Sequence, residues 1–165
     1  MKSVLFICHG NICRSPMAEF IMKDMVRKAG VEDGRIDSAA VSYEEEGNDI
    51  YPPAKRTLNV HGIPFGRHSA HRVTDAEASE YDVIVVMDSS NRRLLSRIIS
   101  PMNMSKVHLM MEYAGRSSDV SDPWYTGDFE KTYRDITEGC TGLLKSLTQP
   151  EPTSTIGWAK RLIQE

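Results

Sequence analysis

VLFICHGNICRSPMAEF, residues 4–20, sets an apolar run against a cysteine, passes five residues, and resumes with Arg-Ser-Pro. Val4 to Cys8 is apolar on consecutive residues, as expected of a strand covered on both faces. The spacing after the loop predicts a helix that starts near Ser15, with Pro16 at its first position. It buries Met17, Phe20, Ile21 and Met25 and stops at Gly30. The unit is therefore strand, tight loop, helix, and the rest of the chain repeats that rhythm.

Further strands are predicted at Arg35 to Val41, Asp82 to Met87 and Lys106 to Met110, with helical segments between them. YDVIVVM, residues 81–87, reads as a central strand. One helix is expected from Pro52 or Pro53 to Gly62. Another follows Ser89-Ser90-Asn91 and ends before Pro101. The last long one carries Phe129, Tyr133, Ile136, Cys140, Leu143 and Leu147 on one face. Cys140 on that face reads as a small core residue. Residues 112–128 show no periodicity and are expected to form an ordered functional loop containing Trp124 and Tyr125. The fold class is α/β: a three-layer open sheet of four parallel strands with helices on both faces. The tail, 149–165, is expected to form a short helix, with Trp158 and Leu162 four apart, that packs on the domain.

Composition narrows the functions open to the chain. With 165 residues, 40% hydrophobic, it is expected to form one domain with a real core. A formal charge of −3 offers no basic field for nucleic acid or an anionic membrane surface. No apolar run is long enough to span a bilayer and no secretory leader is legible, so a cytoplasmic protein is expected. Three cysteines, two of them in one loop, do not make a disulfide framework. No Cys/His spacing suggests zinc, and neither metal nor cofactor is expected.

Two readings of the first loop compete. Cys8 could be the buried end of a strand, or Cys8 and Arg14 could handle an anion together. The loop sits where open α/β sheets bind ligands, and the helix it enters presents unpaired N–H groups and the positive end of its dipole. Gly10 permits a tight backbone path and Asn11 tolerates a left-handed one, so the amides of residues 9–14 can converge as a nest. This would be a phosphate-binding loop after the first strand. Amides, dipole and guanidinium would all favour a thiolate at Cys8. Arg14 could grip two phosphate oxygens as a fork. Ser15 could donate to that thiolate or cap the helix. A proton donor would still be needed, and the residues leave Asp119, Asp122 and Asp128 open.

CHGNICRSP resembles the signature loop of the low-molecular-weight protein tyrosine phosphatases. DSAAVS (37–42), HGIPFGRHSAHRVT (61–74), YDVIVVMDSSNRR (81–93) and DPWY (122–125) are similar to that family's other segments, in the family's order. The resemblance covers residues 1–148. It implies hydrolysis of protein phosphotyrosine and small aryl phosphates, with Cys8 as nucleophile, Arg14 as phosphate clamp and Asp122 as acid and base. Residues His9, Gly10, Asn11, Ile12, Cys13 and Arg14 would bind phosphate. Asn11, Ser15, Ser38 and His68 would support the loop, and Tyr43, Trp124 and Tyr125 would line the ring slot. Cys8 and Cys13 would form a reversible redox pair. Phosphotyrosine-containing proteins would be the partners of a monomer or weak dimer.

The chain also departs from the family pattern. Where relatives often carry tryptophan, this chain has Tyr43 followed by Glu44, Glu45 and Glu46, and His9 stands at a position that is often apolar or small. Tyr51-Pro52-Pro53-Ala54 replaces a common Asp-Pro-Arg-Ala. These differences bear on substrate preference. Related arsenate reductases need relay cysteines that this chain lacks. A subgroup acting on phosphoarginine favours threonine where Ile12 stands, so an aliphatic residue there points to phosphotyrosine. A non-catalytic phosphate-binding module is the rival of another class.

Overall fold

The computed structural model describes residues 1–31 and 34–149; the expected tail helix lies outside them. Four parallel strands, β1 Val4–Cys8, β2 Ile36–Ala40, β3 Val83–Val86 and β4 Val107–Leu109, form one sheet in the order β2-β1-β3-β4. In register, Val4 pairs with Ile36 on one side and Val83 on the other. All five residues of β1 are buried, which is why its apolar positions run consecutively instead of alternating.

The two sheet faces bury separate cores. Val4, Phe6 and Cys8 face α1 (Arg14–Lys28), α2 (Pro52–Val60) and α7 (Phe129–Thr148), in a core with Met17, Ile21, Leu58, Ile136 and Cys140. Leu5 and Ile7 face the other way, with Ile84, Val86, Ala78 of α3 (Asp75–Ala78) and Leu95 of α4 (Ser89–Leu95). Full burial of a side chain such as Phe6 or Leu5 contributes roughly 1.5–3 kcal/mol. Cys140 is wholly buried and burial pushes its thiol up, in keeping with a core role. No helix among the described residues is long and apolar enough to cross a membrane.

Several boundaries differ from the sequence expectation. α1 begins at Arg14, so Pro16 stands third, not first. Its first turns are buried almost all round, because α7 covers the side that β1 and β2 leave open. Pro101 opens a one-turn helix, α5 (Pro101–Met104), after Ser100 caps it, instead of merely ending its predecessor. Residues 112–128 are not wholly irregular. A 3₁₀ turn runs through Met110–Ala114, and α6 (Pro123–Thr126) is a single turn capped by Asp122, whose carboxylate accepts the Trp124 N–H at 3.1 Å. One-turn helices have too few residues to show a period, so their caps are the signal that remains.

Candidate active site

The strand order reverses between β1 and β3, and the crevice beyond their C-terminal ends is where an open α/β sheet binds ligands. The loop after β1 enters this crevice from one side. From the other come Asp88, just past β3, and the segment before α6, whose Val120 N–H donates to Met87 O at 2.9 Å.

Asn11 shapes the first loop. It is the one non-glycine residue with positive φ among the described residues, at 63°, and it is fully buried. Its side-chain N–H₂ donates to Ser15 Oγ at 2.8 Å and Ser38 Oγ at 3.0 Å, while its Oδ1 accepts the His71 N–H at 3.3 Å. His68 Nε2 lies 2.6 Å from the Asn11 carbonyl. A carbonyl only accepts, so Nε2 carries the proton. The bond between the His71 N–H and Oδ1 likewise orients the Asn11 amide. Gly10 is not the left-handed residue. A Cβ there would stand 3.2 Å from Glu45 Cγ, so its bareness lets the loop after β2 close on the phosphate-loop backbone.

The polar bonds have a direction that ends at sulfur. The Ser38 hydroxyl donates to Glu19 Oε1 at 2.7 Å, and Lys23 donates to the other Glu19 oxygen at 2.7 Å. Ser38 Oγ and Ser15 Oγ each accept from Asn11, and of the two acceptors within reach of the Ser15 proton, Cys8 Sγ at 3.0 Å is nearer than the Ala39 carbonyl at 3.4 Å. The backbone N–H groups of Asn11 and Ser15 also reach Cys8 Sγ, each at 3.3 Å. The Ser15 hydroxyl and two backbone amides thus converge on one sulfur. The amides of Gly10, Ile12, Cys13 and Arg14 have no acceptor among the described residues. They are the unpaired groups that a helix N-terminus offers to an anion.

Arg14 is only 2% exposed. Its Nη1 donates to Asp88 Oδ2 at 2.7 Å and Val120 O at 2.8 Å, and its Nη2 lies 3.5 Å from Asp122 Oδ2. Burial opposes its charge, but Cys8, Asp88 and Asp122 together outweigh burial and hold the guanidinium above its ordinary range. Asp88 is itself fixed by a reciprocal capping box with Asn91 at the start of α4. Cys13 is buried beside these groups; burial first, then the charges of Cys8 and Asp122, push its thiol well up.

An open pocket of about 130 Å³ collects these groups. Cys8, His9, Gly10, Ile12, Cys13 and Arg14 form its floor, while Glu44 and Glu45 rise on one part of the rim and Asp122, Trp124 and Tyr125 on another. Of the three candidate acids, Asp122 is the one that lines it. Asp119 instead accepts from Ser89, and Asp128 caps α7. Trp124 packs on Tyr51 with ring centroids 4.8 Å apart. Tyr43 does not line the pocket. Arg72 stacks over its ring at 4.7 Å and donates to its hydroxyl at 2.9 Å, which holds the side chain to the 61–74 segment and leaves the rim to the glutamates.

A family model for low molecular weight phosphotyrosine protein phosphatases matches residues 3–152. The chain belongs to this family. A Bacillus subtilis relative, low molecular weight protein-tyrosine-phosphatase YfkJ, is 39% identical over 89% of this chain and 96% of its own. Its crystal structure superposes with a TM-score of 0.83, covering 89% and 94% of the two chains. The human low molecular weight phosphotyrosine protein phosphatase is 36% identical, over 87% of this chain and 94% of its own. A Drosophila arginine phosphatase shares the fold at 31% identity, covering 92% and 100%, with a TM-score of 0.83. The chain is therefore an enzyme of the protein-tyrosine-phosphatase class, with the parallel α/β fold its relatives have.

In this phosphatase, four contributors to the site escaped the sequence reading. Glu19 anchors Ser38, Asp88 and Val120 hold the guanidinium, and His71 orients Asn11. Only Asp88 carried a local signal, the cap pattern Asp-Ser-Ser-Asn at residues 88–91.

Proposed function

We propose that this phosphatase hydrolyses phosphotyrosine in proteins, and small aryl phosphates, through a phosphocysteine at Cys8. The observation that carries the proposal is the three-donor convergence on Cys8 Sγ within one pocket shared by Arg14 and Asp122. In the first half-reaction Sγ attacks phosphorus, the S–P bond forms as the aryl O–P bond breaks, and Asp122 gives its proton to the leaving phenolate. In the second, water attacks phosphorus and Asp122 takes a proton from it. The P–S bond then breaks and phosphate leaves. The Ser15 hydroxyl and the two amides receive the returning thiolate. Arg14 and the free loop amides hold the equatorial oxygens throughout.

Trp124 and Tyr125 flank the place where an aromatic leaving group would lie. They are 52% and 83% exposed, so their faces are open to a ring. Ile12 supplies an apolar floor residue there. This favours a phenyl ring over a guanidinium, although a relative of the same fold is an arginine phosphatase.

The test is hydrolysis of para-nitrophenyl phosphate, followed by a panel of phosphotyrosine, phosphoarginine and phosphoserine peptides. Turnover that vanishes in Cys8→Ser, with phosphotyrosine hydrolysed fastest, is expected. Turnover that survives Cys8→Ser would rule out the nucleophile, and preference for phosphoarginine would replace the substrate assignment. Asp122→Asn should slow poor leaving groups by about 10²–10⁴ while phosphate-analogue binding persists. Near-normal turnover would move the acid elsewhere.

A further inference from the structure

The pocket rim carries charge that phosphoryl transfer does not use. His9 Nε2 lies 2.9 Å from Glu44 Oε2, so a side chain of the floor reaches one of the rim. Glu45 lines the same rim, its carboxylate accepting from Asn48 Nδ2 at 2.8 Å. The loop that carries both is pinned: the Ser42 hydroxyl donates to His9 O at 2.9 Å, and Glu46 Oε1 accepts the Arg72 N–H at 3.3 Å.

The cations nearby are committed elsewhere. Arg14 faces Asp88 and Asp122, and the Arg72 guanidinium is stacked on Tyr43. Among the described residues only His9 forms an ion pair with Glu44, and then only when protonated. A phosphoryl group on the floor is matched by Arg14 and the loop amides, but residues flanking the phosphorylated side chain must pass the rim. There a lysine or arginine meets carboxylate, and an aspartate or glutamate is repelled.

We propose that Glu44 selects phosphotyrosine sites flanked by lysine or arginine, and that His9 tempers the selection by holding the same carboxylate. This rests on the phosphotyrosine reading above. The logic is one of competition: the cation of a good substrate displaces His9 from Glu44. Removing Glu44 therefore weakens discrimination, whereas removing His9 sharpens it.

The experiment compares kcat/KM for phosphotyrosine peptides that differ only in lysine or glutamate beside the phosphotyrosine. It is run in wild type, Glu44→Gln, His9→Leu and the double variant. The readout is the lysine-to-glutamate ratio within each enzyme, so any general loss of activity cancels. For unit charges about 6 Å apart at the surface, each is worth roughly threefold. A freely available Glu44, as in His9→Leu, then gives a ratio of about tenfold at low ionic strength; wild type, with His9 on the carboxylate, lies severalfold below it, and both shrink with added salt. Glu44→Gln should lower the ratio severalfold, His9→Leu should raise it severalfold, and the double variant should match Glu44→Gln.

An unchanged ratio in Glu44→Gln overturns the selection. A His9→Leu effect that persists in the Glu44→Gln background overturns the competition. If His9→Leu does not fold, His9→Asn takes its place with the same expected direction. A wild-type enzyme that hydrolyses para-nitrophenyl phosphate but no phosphotyrosine peptide overturns the underlying substrate reading instead.

Discussion

Asn11 joins the backbone of the phosphate loop to its hydrogen-bond chain, so its replacement separates two contributions. Asn11→Ala removes three hydrogen bonds, the buried ones to Ser15 and Ser38 and the part-buried one from the His71 N–H. At about 0.5–1.5 kcal/mol each, the loss is about 3 kcal/mol. Alanine must also hold φ near 63°, at a further cost of about 1–2 kcal/mol. Asn11→Gly loses the same bonds without that strain, though glycine adds unfolded-chain entropy of about 0.5–1 kcal/mol. The expected order in urea unfolding is wild type, then Gly by about 3–4 kcal/mol, then Ala by about 4–5 kcal/mol. This reverses the ordinary advantage of alanine over glycine. Asn11→Asp keeps the shape but turns a donor into an acceptor facing two hydroxyls. The Ser15 proton is then drawn from sulfur to the new carboxylate, and kcat should fall even where the protein stays folded. Alanine as stable as glycine, or an Asp variant with wild-type kcat, would refute the reasoning.

Three other expectations follow from neighbouring groups. Mild peroxide should oxidise Cys8 to a sulfenic acid, which the Cys13 thiol displaces with loss of water. Mass spectrometry should then find a Cys8–Cys13 disulfide, whereas an overoxidised Cys8 beside a free Cys13 would count against the pairing. Asp88→Asn keeps a hydrogen-bond acceptor for Arg14 but removes the charge, and should raise the Kd for phosphate analogues about tenfold or more; an unchanged Kd would show that Val120 O suffices. His71, which donates its N–H to Asn11, has its imidazole pKa raised from an ordinary 6.5, chiefly by its hydrogen bond to Glu77. A raised folded-state value means that the stabilisation is complete below about pH 6.5 and is lost as pH rises through the folded value. Glu77→Gln should therefore flatten stability against pH above that point, and an unaltered slope would remove His71 as its source.

How much was legible in the chain varies with the physical signal. The four strands and the long helices were readable because burial on one or both faces imposes a period or a run, as in residues 83–86 and in Phe129 to Leu147. Cys8, Arg14 and Ser15 were readable because the loop between strand and helix brings them together locally. Asp122 was not fixed by spacing, since it reaches the pocket through the contact of Val120 with Met87, far away in the chain. Glu19 looked like an ordinary helix glutamate, and its burial depends on β2 bringing Ser38 beside it. The family resemblance puts Tyr43 in the slot; the partner that holds it elsewhere, Arg72, comes from a segment whose path along β2 no local pattern reveals.

The covalent step at Cys8 is the centre of the proposed mechanism. In Asp122→Asn, para-nitrophenolate can leave without a proton, but the water that attacks phosphocysteine has lost its base, so the intermediate should accumulate. Acid quenching during turnover, followed by mass spectrometry of peptides, should place one phosphoryl group on the peptide that carries Cys8 and none in Cys8→Ser. A phosphoryl group on another residue, or turnover in wild type with no adduct in any variant while Cys8→Ser remains active, would contradict it.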